Sequence, residues 1–160
     1  TGRVDDVIKV AGHRLSTGEI EDAVNGVNDT SENAVVSKPD ELRGELPVVF
    51  AKLKMGVQGD EVIKNNIVKM IVKKIGPIAK PADIYFVSDL PKTRSGKIMR
   101  RILKSIIRNE PTGDIMTIVN PECIQQIKNI VKGEEKIDKD KIVSVSSNVS
   151  QTGMTESMDK

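Results

Sequence analysis

The chain has 160 residues, enough for one ordinary domain with a tail or for two small lobes. Apolar residues make up 38% of it, but only three residues are aromatic, so the core must be built from Ile, Val, Leu and Met. A formal net charge of +2 argues against a nucleic-acid or membrane-surface protein, and no apolar run approaches the roughly 18 residues of a membrane span. The single cysteine, Cys123, excludes an internal disulfide and favours a reducing, cytoplasmic or nucleocytoplasmic location.

The first third of the chain combines β-branched runs with one capped helix. Residues 3–15 read RVDDVIKVAGHRL and predict a hairpin that turns at Gly12. Ser16 followed by Glu19 predicts the start of a helix, and Gly26 predicts its end. The runs NAVVS and PVVFAKL then predict two strands separated by a long charged turn.

The second third adds a helix, a strand and a further helix. Asp60 predicts the cap of a helix that continues to Ile75 and stops at Gly76-Pro77. The run DIYFV predicts a third strand, followed by a loop, and the apolar spacing from Lys97 onward predicts another helix.

This order of elements predicts an α+β fold. It is a small lobe with an N-terminal β-hairpin and a three-stranded sheet flanked by helices, over residues 1–130. Residues 131–160 are charged and then rich in Ser and Thr, and predict a largely irregular, flexible tail. Because the sequence begins at Thr1 inside patterned sequence, we expect it to be a piece of a longer protein.

Positive charge is concentrated in the stretch LPKTRSGKIMRRIL and the residues after it. From Pro91 to Asn109 there are seven Lys or Arg and no Asp or Glu. A phosphate-binding P-loop is excluded, because the first glycine and the hydroxyl after the lysine are both missing. Lys97 follows the flexible Gly96 beside a predicted helix start, where its ammonium can neutralise a phosphoryl group and a carboxylate together. The alternative, that these cations are the solvated side of an amphipathic helix, stays open at this point.

A second cluster, VAGHRLS, surrounds the predicted turn at Gly12. Small residues at a bend allow close passage of a ligand, and Arg3 and Arg14 are forked donors suited to phosphate. His13 is the only histidine and has no Cys or His nearby, so neither a metal site nor a Ser-His-Asp triad is predicted.

Together, TGRVDDVIKVAGHRLST and LPKTRSGKIMRRIL resemble the C-terminal domain of the adenylate-forming superfamily. That superfamily contains acyl- and aryl-CoA synthetases, non-ribosomal peptide adenylation domains and luciferases. The resemblance is to its acetate-activating, AMP-forming CoA ligases, covers about residues 1–130 and includes the segment GDIMTIVNP.

The resemblance implies a two-step ligase reaction, in which acetate and ATP give acetyl-adenylate and pyrophosphate, and the thiol of coenzyme A then displaces AMP. It further implies a large N-terminal domain, absent from this sequence, that holds ATP, Mg²⁺ and the acyl pocket, and against which this domain rotates. The 160-residue chain alone is therefore expected to be inactive.

The resemblance also assigns roles to individual residues. Lys97 matches the adenylation lysine, and Asp5 matches the hinge. Acetylation of Lys97 would remove its charge, which implies a lysine acetyltransferase and a deacetylase as partners.

Four other residues match positions that touch nucleotide or coenzyme A. Arg3 matches a nucleotide contact, and Arg14 a residue that reaches the phosphate region in the thioester-forming pose. Ala11 and Gly12 match the passage for the pantetheine arm, although Ala11 stands where the acetate enzymes often carry Ser.

Two departures from the family pattern affect ligands. Val27-Asn28 stand where His-Pro is common near a metal contact of relatives, so no metal is predicted in this chain. Val72 replaces an arginine that faces the 3′-phosphate of coenzyme A, and Lys69 or Lys73 is the candidate to replace that charge.

Other functions remain open from the sequence. A propionyl- or medium-chain acyl-CoA ligase is an alternative that nothing in this chain excludes, because chain length is selected in the absent pocket. A module that binds nucleic acid or an acidic partner through the basic stretch is a different class, but the few aromatics and low net charge disfavour it.

Overall fold

The computed structural model describes residues 7–133, so Arg3, Asp5 and nearly all of the predicted tail lie outside the described residues. The secondary-structure elements follow one another in this order: β1 (Val7–Val10), β2 (His13–Ser16), α1 (Thr17–Asn25), β3 (Thr30–Asp40), β4 (Gly44–Leu53), α2 (Glu61–Lys74), a short 3-10 helix (Pro77–Ala79), β5 (Asp83–Val87), α3 (Arg100–Ile107) and α4 (residues 122–133). The compact unit that carries the sheet extends to Ile127. No helix within residues 7–133 is both long and apolar enough to cross a membrane.

The predicted α+β fold is confirmed, and the hairpin joins the same sheet as the other strands. β3 and β4 pair in antiparallel fashion along nearly their full length, and β5 runs parallel to β4 from Val48 to Lys52. The hairpin β1–β2 attaches to the other end of the same β4 edge, through the pair Val10 and Gly44. The three predicted strands and the hairpin are therefore one five-stranded sheet.

The turn between β3 and β4 is shorter than the sequence predicts. The ladder continues through Pro39 and Pro47 and ends at the pair Asp40–Gly44, so only three residues turn. The carboxylate of Asp40 accepts hydrogen bonds from the backbone N–H groups of Leu42 and Arg43. An aspartate that bonds the backbone two and three residues on closes a tight turn, whereas the charged residues between the two apolar runs predicted a long one.

Both faces of the sheet are buried. On one face β-branched strand residues pack with α1 and α2 in a core that includes Val35, Val49, Ile20 and Ile67. The strand residues that alternate with these are equally buried, and on that second face Phe50 stacks on Tyr85 with ring centroids 5.5 Å apart. α3, which buries Ile102, Leu103 and Ile106, contacts β3.

The helix boundaries predicted for α1 and α2 are confirmed by their caps. Ser16 Oγ accepts the N–H of Glu19, and Asp60 Oδ1 accepts the N–H of Ile63. A capping side chain satisfies backbone donors that the helix leaves unpaired, which is why these residue types mark the starts. Gly26 ends α1 as expected.

The helix predicted to begin near Lys97 begins later. α3 starts at Arg100 with Met99 as its N-cap, and no side chain of the described part of the chain caps it. Ile98 pairs with Lys92 in an isolated β-bridge, and residues 97–99 lie outside the helix. Because the backbone of Ile98 is paired in this bridge, it cannot belong to the helix. The apolar spacing of Ile98 and Met99 with the later helix residues nevertheless continues the helical pattern, so the predicted helix began too early. Lys97 therefore lies before the helix and is not one of the residues whose backbone amides are unpaired in the first turn.

Candidate functional site

Lys97 lies in a tight hairpin formed by residues 91–99, here called the basic loop. Its backbone is closed by three hydrogen bonds, from Thr93 N to Lys97 O (2.9 Å), Gly96 N to Thr93 O (2.9 Å) and Met99 N to Pro91 O (2.8 Å). Gly96 has φ +90, which is strained for any residue with a side chain, and this permits the turn. The side chain of Lys97 is exposed at this turn.

One cation just beyond the basic loop is bound inside the domain. Arg100 donates from Nε to Glu21 Oε2 (2.7 Å) and from the guanidinium to Glu21 Oε1 (2.6 Å). Glu21 is only 4% exposed, and its Oε2 also accepts the backbone N–H of Val35 (2.9 Å). This bidentate, largely buried pair fixes the start of α3 to α1 and β3.

Three more of the seven cations have intramolecular partners. Lys92 Nζ lies 2.6 Å from Glu32 Oε2 on β3. Arg101 donates to the carbonyls of Thr112 (2.7 Å) and Asp114 (3.1 Å), and Arg108 lies 3.5 Å from Glu45.

The remaining three cations are Arg94, Lys97 and Lys104, and none of them has an ion pair or side-chain hydrogen bond within residues 7–133. The basic stretch is therefore not one continuous solvated face, as the amphipathic-helix alternative requires. Four cations hold the fold, whereas Lys97 is presented on a closed turn with its charge available.

Residues 112–120, here called the return segment, pass back beside the basic loop after α3. Thr93 pairs with Ile118, and Val119 N donates to Lys92 O (2.9 Å). A groove of about 920 Å³ lies between the two segments and includes Lys97, Arg94 and the exposed Met116 and Val119 in its lining. The groove places apolar surface next to the free ammonium of Lys97.

The base of the basic loop contains a carboxylate held in its charged form. Burial acts to raise the pKa of Asp89, but hydrogen bonds from Asn120 and the Leu90 N–H and the charges of Lys52 and Lys92 outweigh it, so this pKa lies below its ordinary value. By contrast, burial raises the pKa of the Cys123 thiol to about 11, with Asp89 and Glu122 adding to the effect. Cys123 is therefore a structural thiol rather than a reactive one.

The second cluster lies at the tip of the hairpin β1–β2. Ala11 (φ 49) and Gly12 (φ 84) form its two-residue turn and both are exposed, and a Cβ built on Gly12 meets no atom within 4 Å. Arg14 stands opposite Lys9 in the ladder, with both side chains exposed. Two like charges side by side repel each other, so an anion bound between them would be stabilised.

One of the two departures, Val27-Asn28, shares a groove with the lysines that are candidates to replace the charge missing at Val72. A groove of about 370 Å³ between the end of α1 and the side of α2 is lined by residues of both regions, among them Val27, Asn28, Lys69 and Lys73. Val72 is half-buried and is not among the lining residues. The structure thus groups the two lysines next to the Val27-Asn28 position, which sequence spacing did not suggest.

Sequence reasoning missed the residues that hold the basic loop. They are Glu21 on α1, Glu32 on β3 and Asn120 at the end of the return segment. Only Glu21 had a local signal of burial. It lies between Ile20 and Ala23, which belong to the apolar face of the predicted helix. Partners in distant segments leave no short-range pattern.

Comparison with known proteins agrees with this architecture. Residues 19–97 match the model of the AMP-binding enzyme C-terminal domain. The chain belongs to this family of domains. It is 50% identical to the acetyl-coenzyme A synthetase of Methanothrix thermoacetophila over 130 residues (81% of this chain, 20% of that protein), and 49% identical to acetyl-coenzyme A synthetase 1 of Debaryomyces hansenii over 138 residues (84% and 21%).

A solved structure gives the same result at the level of the fold. An acyl-CoA synthetase of Brucella canis superposes with a TM-score of 0.61 at 36% identity, over 65% of this chain and 19% of that one. The chain spans about a fifth of the length of the curated relatives it matches.

Proposed function

We propose that this chain is the C-terminal domain of an AMP-forming acetyl-CoA synthetase. The whole protein would convert acetate, ATP and coenzyme A to acetyl-CoA, AMP and pyrophosphate through acetyl-adenylate. The proposal is supported by identities near 50% with proteins of that name over most of this chain. The observation within the structure that carries it is the ammonium of Lys97, which is exposed on a closed turn and has no side-chain partner among the described residues 7–133.

Lys97 is proposed to act in the first half-reaction. When a carboxylate oxygen of acetate attacks the α-phosphorus of ATP, negative charge increases on the non-bridging phosphoryl oxygens. One ammonium between the carboxylate and those oxygens reduces their repulsion and stabilises the charge that develops. A long lysine arm on a rigid hairpin supplies such a charge at little cost in reorganisation.

The hairpin tip is proposed to act in the second half-reaction. Ala11 and Gly12 would border the passage of the pantetheine thiol, since the space beside Gly12 is open within this domain. Arg14, with Lys9 beside it, would face a phosphate group. Arg3 as a nucleotide contact and Asp5 as the hinge belong to the same proposal, although both lie outside the described residues.

The groove beside α2 is the proposed place for the distal phosphate of coenzyme A. Lys69 and Lys73 line it and can replace the charge that Val72 lacks. A lysine is a point charge rather than a planar fork, so this contact would hold phosphate with less directional precision than an arginine.

The remaining partners are also part of the proposal. An N-terminal domain outside this sequence would hold ATP, Mg²⁺ and the acetate pocket. Lys97 is accessible enough in this domain for an acetyltransferase, and acetylation would remove the charge that adenylation uses. A cytoplasmic location stays a prediction from the single cysteine.

Half-reactions of the full-length protein test the proposal. Lys97→Ala is expected to lower acetate-dependent exchange of pyrophosphate into ATP by about 10²- to 10³-fold, because one charge stabilising the transition state is lost. Thioester formation from supplied acetyl-adenylate and coenzyme A should be retained. Arg94→Ala, which removes a neighbouring exposed cation of the same loop, should cause a much smaller loss. Equal losses in both half-reactions of Lys97→Ala would contradict the proposal.

The competing functions are separated by simple measurements. Propionate and longer acids compared with acetate in the same exchange assay test acyl specificity. Binding of an oligonucleotide with a steep salt dependence would favour the nucleic-acid module. That second class has less support, because four of its seven cations are already used within the domain. The isolated chain is expected to form no acetyl-CoA.

A further inference from the structure

The Asn120 side chain joins the return segment to the entrance of the basic loop. Its Oδ1 accepts the backbone N–H of Lys92 (3.0 Å). Its Nδ2 donates to Leu90 O (2.8 Å) and to Asp89 Oδ2 (2.9 Å). All three partners lie in the four residues through which the chain enters the loop, so one amide holds that entrance in place.

This contact acts on the backbone and continues to Lys97 through a short series of bonds. Asn120 holds the N–H of Lys92, and the adjacent Thr93 donates its N–H to Lys97 O. A displacement of Lys92 therefore moves the residue that carries the free ammonium. The other anchors, from Lys92 to Glu32 and from Arg100 to Glu21, act through side chains with more rotatable bonds.

The return segment is itself fastened, so Asn120 is a fixed support. Arg101 binds the carbonyls of Thr112 and Asp114 at the beginning of the segment. Ile118 is buried, and Val119 N donates to Lys92 O (2.9 Å) near its end. Because the return segment is held in place, the hydrogen bonds of the Asn120 amide also hold the entrance of the basic loop in place.

We propose that Asn120 is a positioning residue for Lys97, which sets the place at which the Lys97 ammonium meets the reacting phosphoryl group. This inference rests on the proposed function of Lys97. Misplacement of a reacting group by about 1 Å can cost about 100-fold in rate, so a support of this kind affects the step that uses Lys97 and not the step that does not.

The test uses the full-length protein with Asn120→Ala, and with Asp60→Ala as the control. Asp60 caps α2 by accepting the N–H of Ile63, so its removal also lowers stability but leaves the loop untouched. Hydrogen exchange of the peptide covering residues 89–99 reports the loop directly. We expect faster exchange there for Asn120→Ala only, with adenylation lowered by about 10- to 100-fold and thioester formation from supplied acetyl-adenylate retained.

Two results would overturn the inference: unchanged exchange over residues 89–99, or equal loss of both half-reactions in Asn120→Ala. If that variant does not fold, Asn120→Ser carries the same test, because its shorter side chain lacks the amide oxygen that accepts the Lys92 N–H and the amide nitrogen that donates to Leu90 and Asp89. Retention of adenylation by Lys97→Ala would instead overturn the proposed function, and with it the purpose of the positioning, whatever the exchange data show.

Discussion

The hairpin tip and the basic loop both present residues of the proposed reaction on turns with positive φ, but they are held differently. Beyond its own ladder, the tip is attached by the pair Val10–Gly44 and by hydrogen bonds from Ala11 N to Arg43 O and from Lys9 N to Glu45 Oε1. The basic loop depends on side chains from three other segments, those of Glu21, Glu32 and Asn120. A turn that is closed by its own ladder tolerates distant changes, whereas one held by side chains responds to them.

The largest expected effect concerns the buried anchor behind the basic loop. Glu21→Gln keeps an acceptor for Val35 N–H but leaves the guanidinium of Arg100 without its charge partner, which should lower the free energy of unfolding by roughly 3 kcal/mol. Asp83→Asn is the matched control, since it removes the charge from the more exposed pair with Lys38 and should cost about 0–1 kcal/mol. Urea unfolding measures the loss in free energy of unfolding for each variant. Equal losses would show that the pair of Glu21 and Arg100 stabilises the domain no more than an exposed ion pair does.

The next effect tests the hairpin tip, where local geometry and the reaction can be separated. Gly12→Leu and Gly56→Leu place the same side chain at φ 84 and φ 85, and a Cβ at either position meets nothing within 4 Å. Both should lose about 1–2 kcal/mol of stability from the left-handed conformation. Only Gly12→Leu should slow thioester formation, by about tenfold or more, if the tip borders the thiol passage.

The half-reaction assay on the full-length protein measures this difference. Adenylation should be preserved in both glycine variants, because neither touches the basic loop. Similar thioester rates in the two variants would remove the hairpin tip from the proposed passage and leave the basic loop as the only supported part of the site.

The smallest expected effect is the pH dependence of the stability that Asp89 contributes at the start of the basic loop. Because the pKa of Asp89 is lower in the folded state, its contribution to stability is complete above the unfolded pKa of about 3.9 and is lost as the pH falls through the folded value. Asp89→Asn should therefore be slightly less stable than the unchanged chain at pH 7, and the difference should shrink below about pH 4. Urea unfolding at a series of pH values measures it, and a difference independent of pH would contradict this account.

Much of the fold could be predicted because its signals are local. Ser16 and Asp60 bond to backbone groups three residues on, so their spacing alone marks the helix starts. The hairpin turn at Gly12 and the strand DIYFV likewise depend on neighbouring residues. The start of α3 was wrong because a bridge between Lys92 and Ile98, rather than side-chain periodicity, decides where the helix begins.

The candidate site was only partly predictable, because many of its residues come together only through tertiary packing. The resemblance pointed to Lys97, Ala11 and Gly12, and the structure presents all three on exposed turns, although their roles stay predictions. It gave no indication that Lys69 and Lys73 share a groove with Val27 and Asn28. That grouping follows from the packing of α1 on α2, which neither helix reveals alone.

The amino-acid sequence by itself determined the caps, the turns, the apolar periods and the presence of a lysine on a Gly-Lys turn, because these depend on residues a few positions apart. Only the tertiary structure decided which cations of the basic stretch are used internally and which three have no side-chain partner within residues 7–133. The partners lie 79 residues apart for Arg100 and Glu21, 60 for Lys92 and Glu32, and 28 for Lys92 and Asn120. Groups so far apart along the chain interact only after the sheet and helices have brought them within hydrogen-bonding distance.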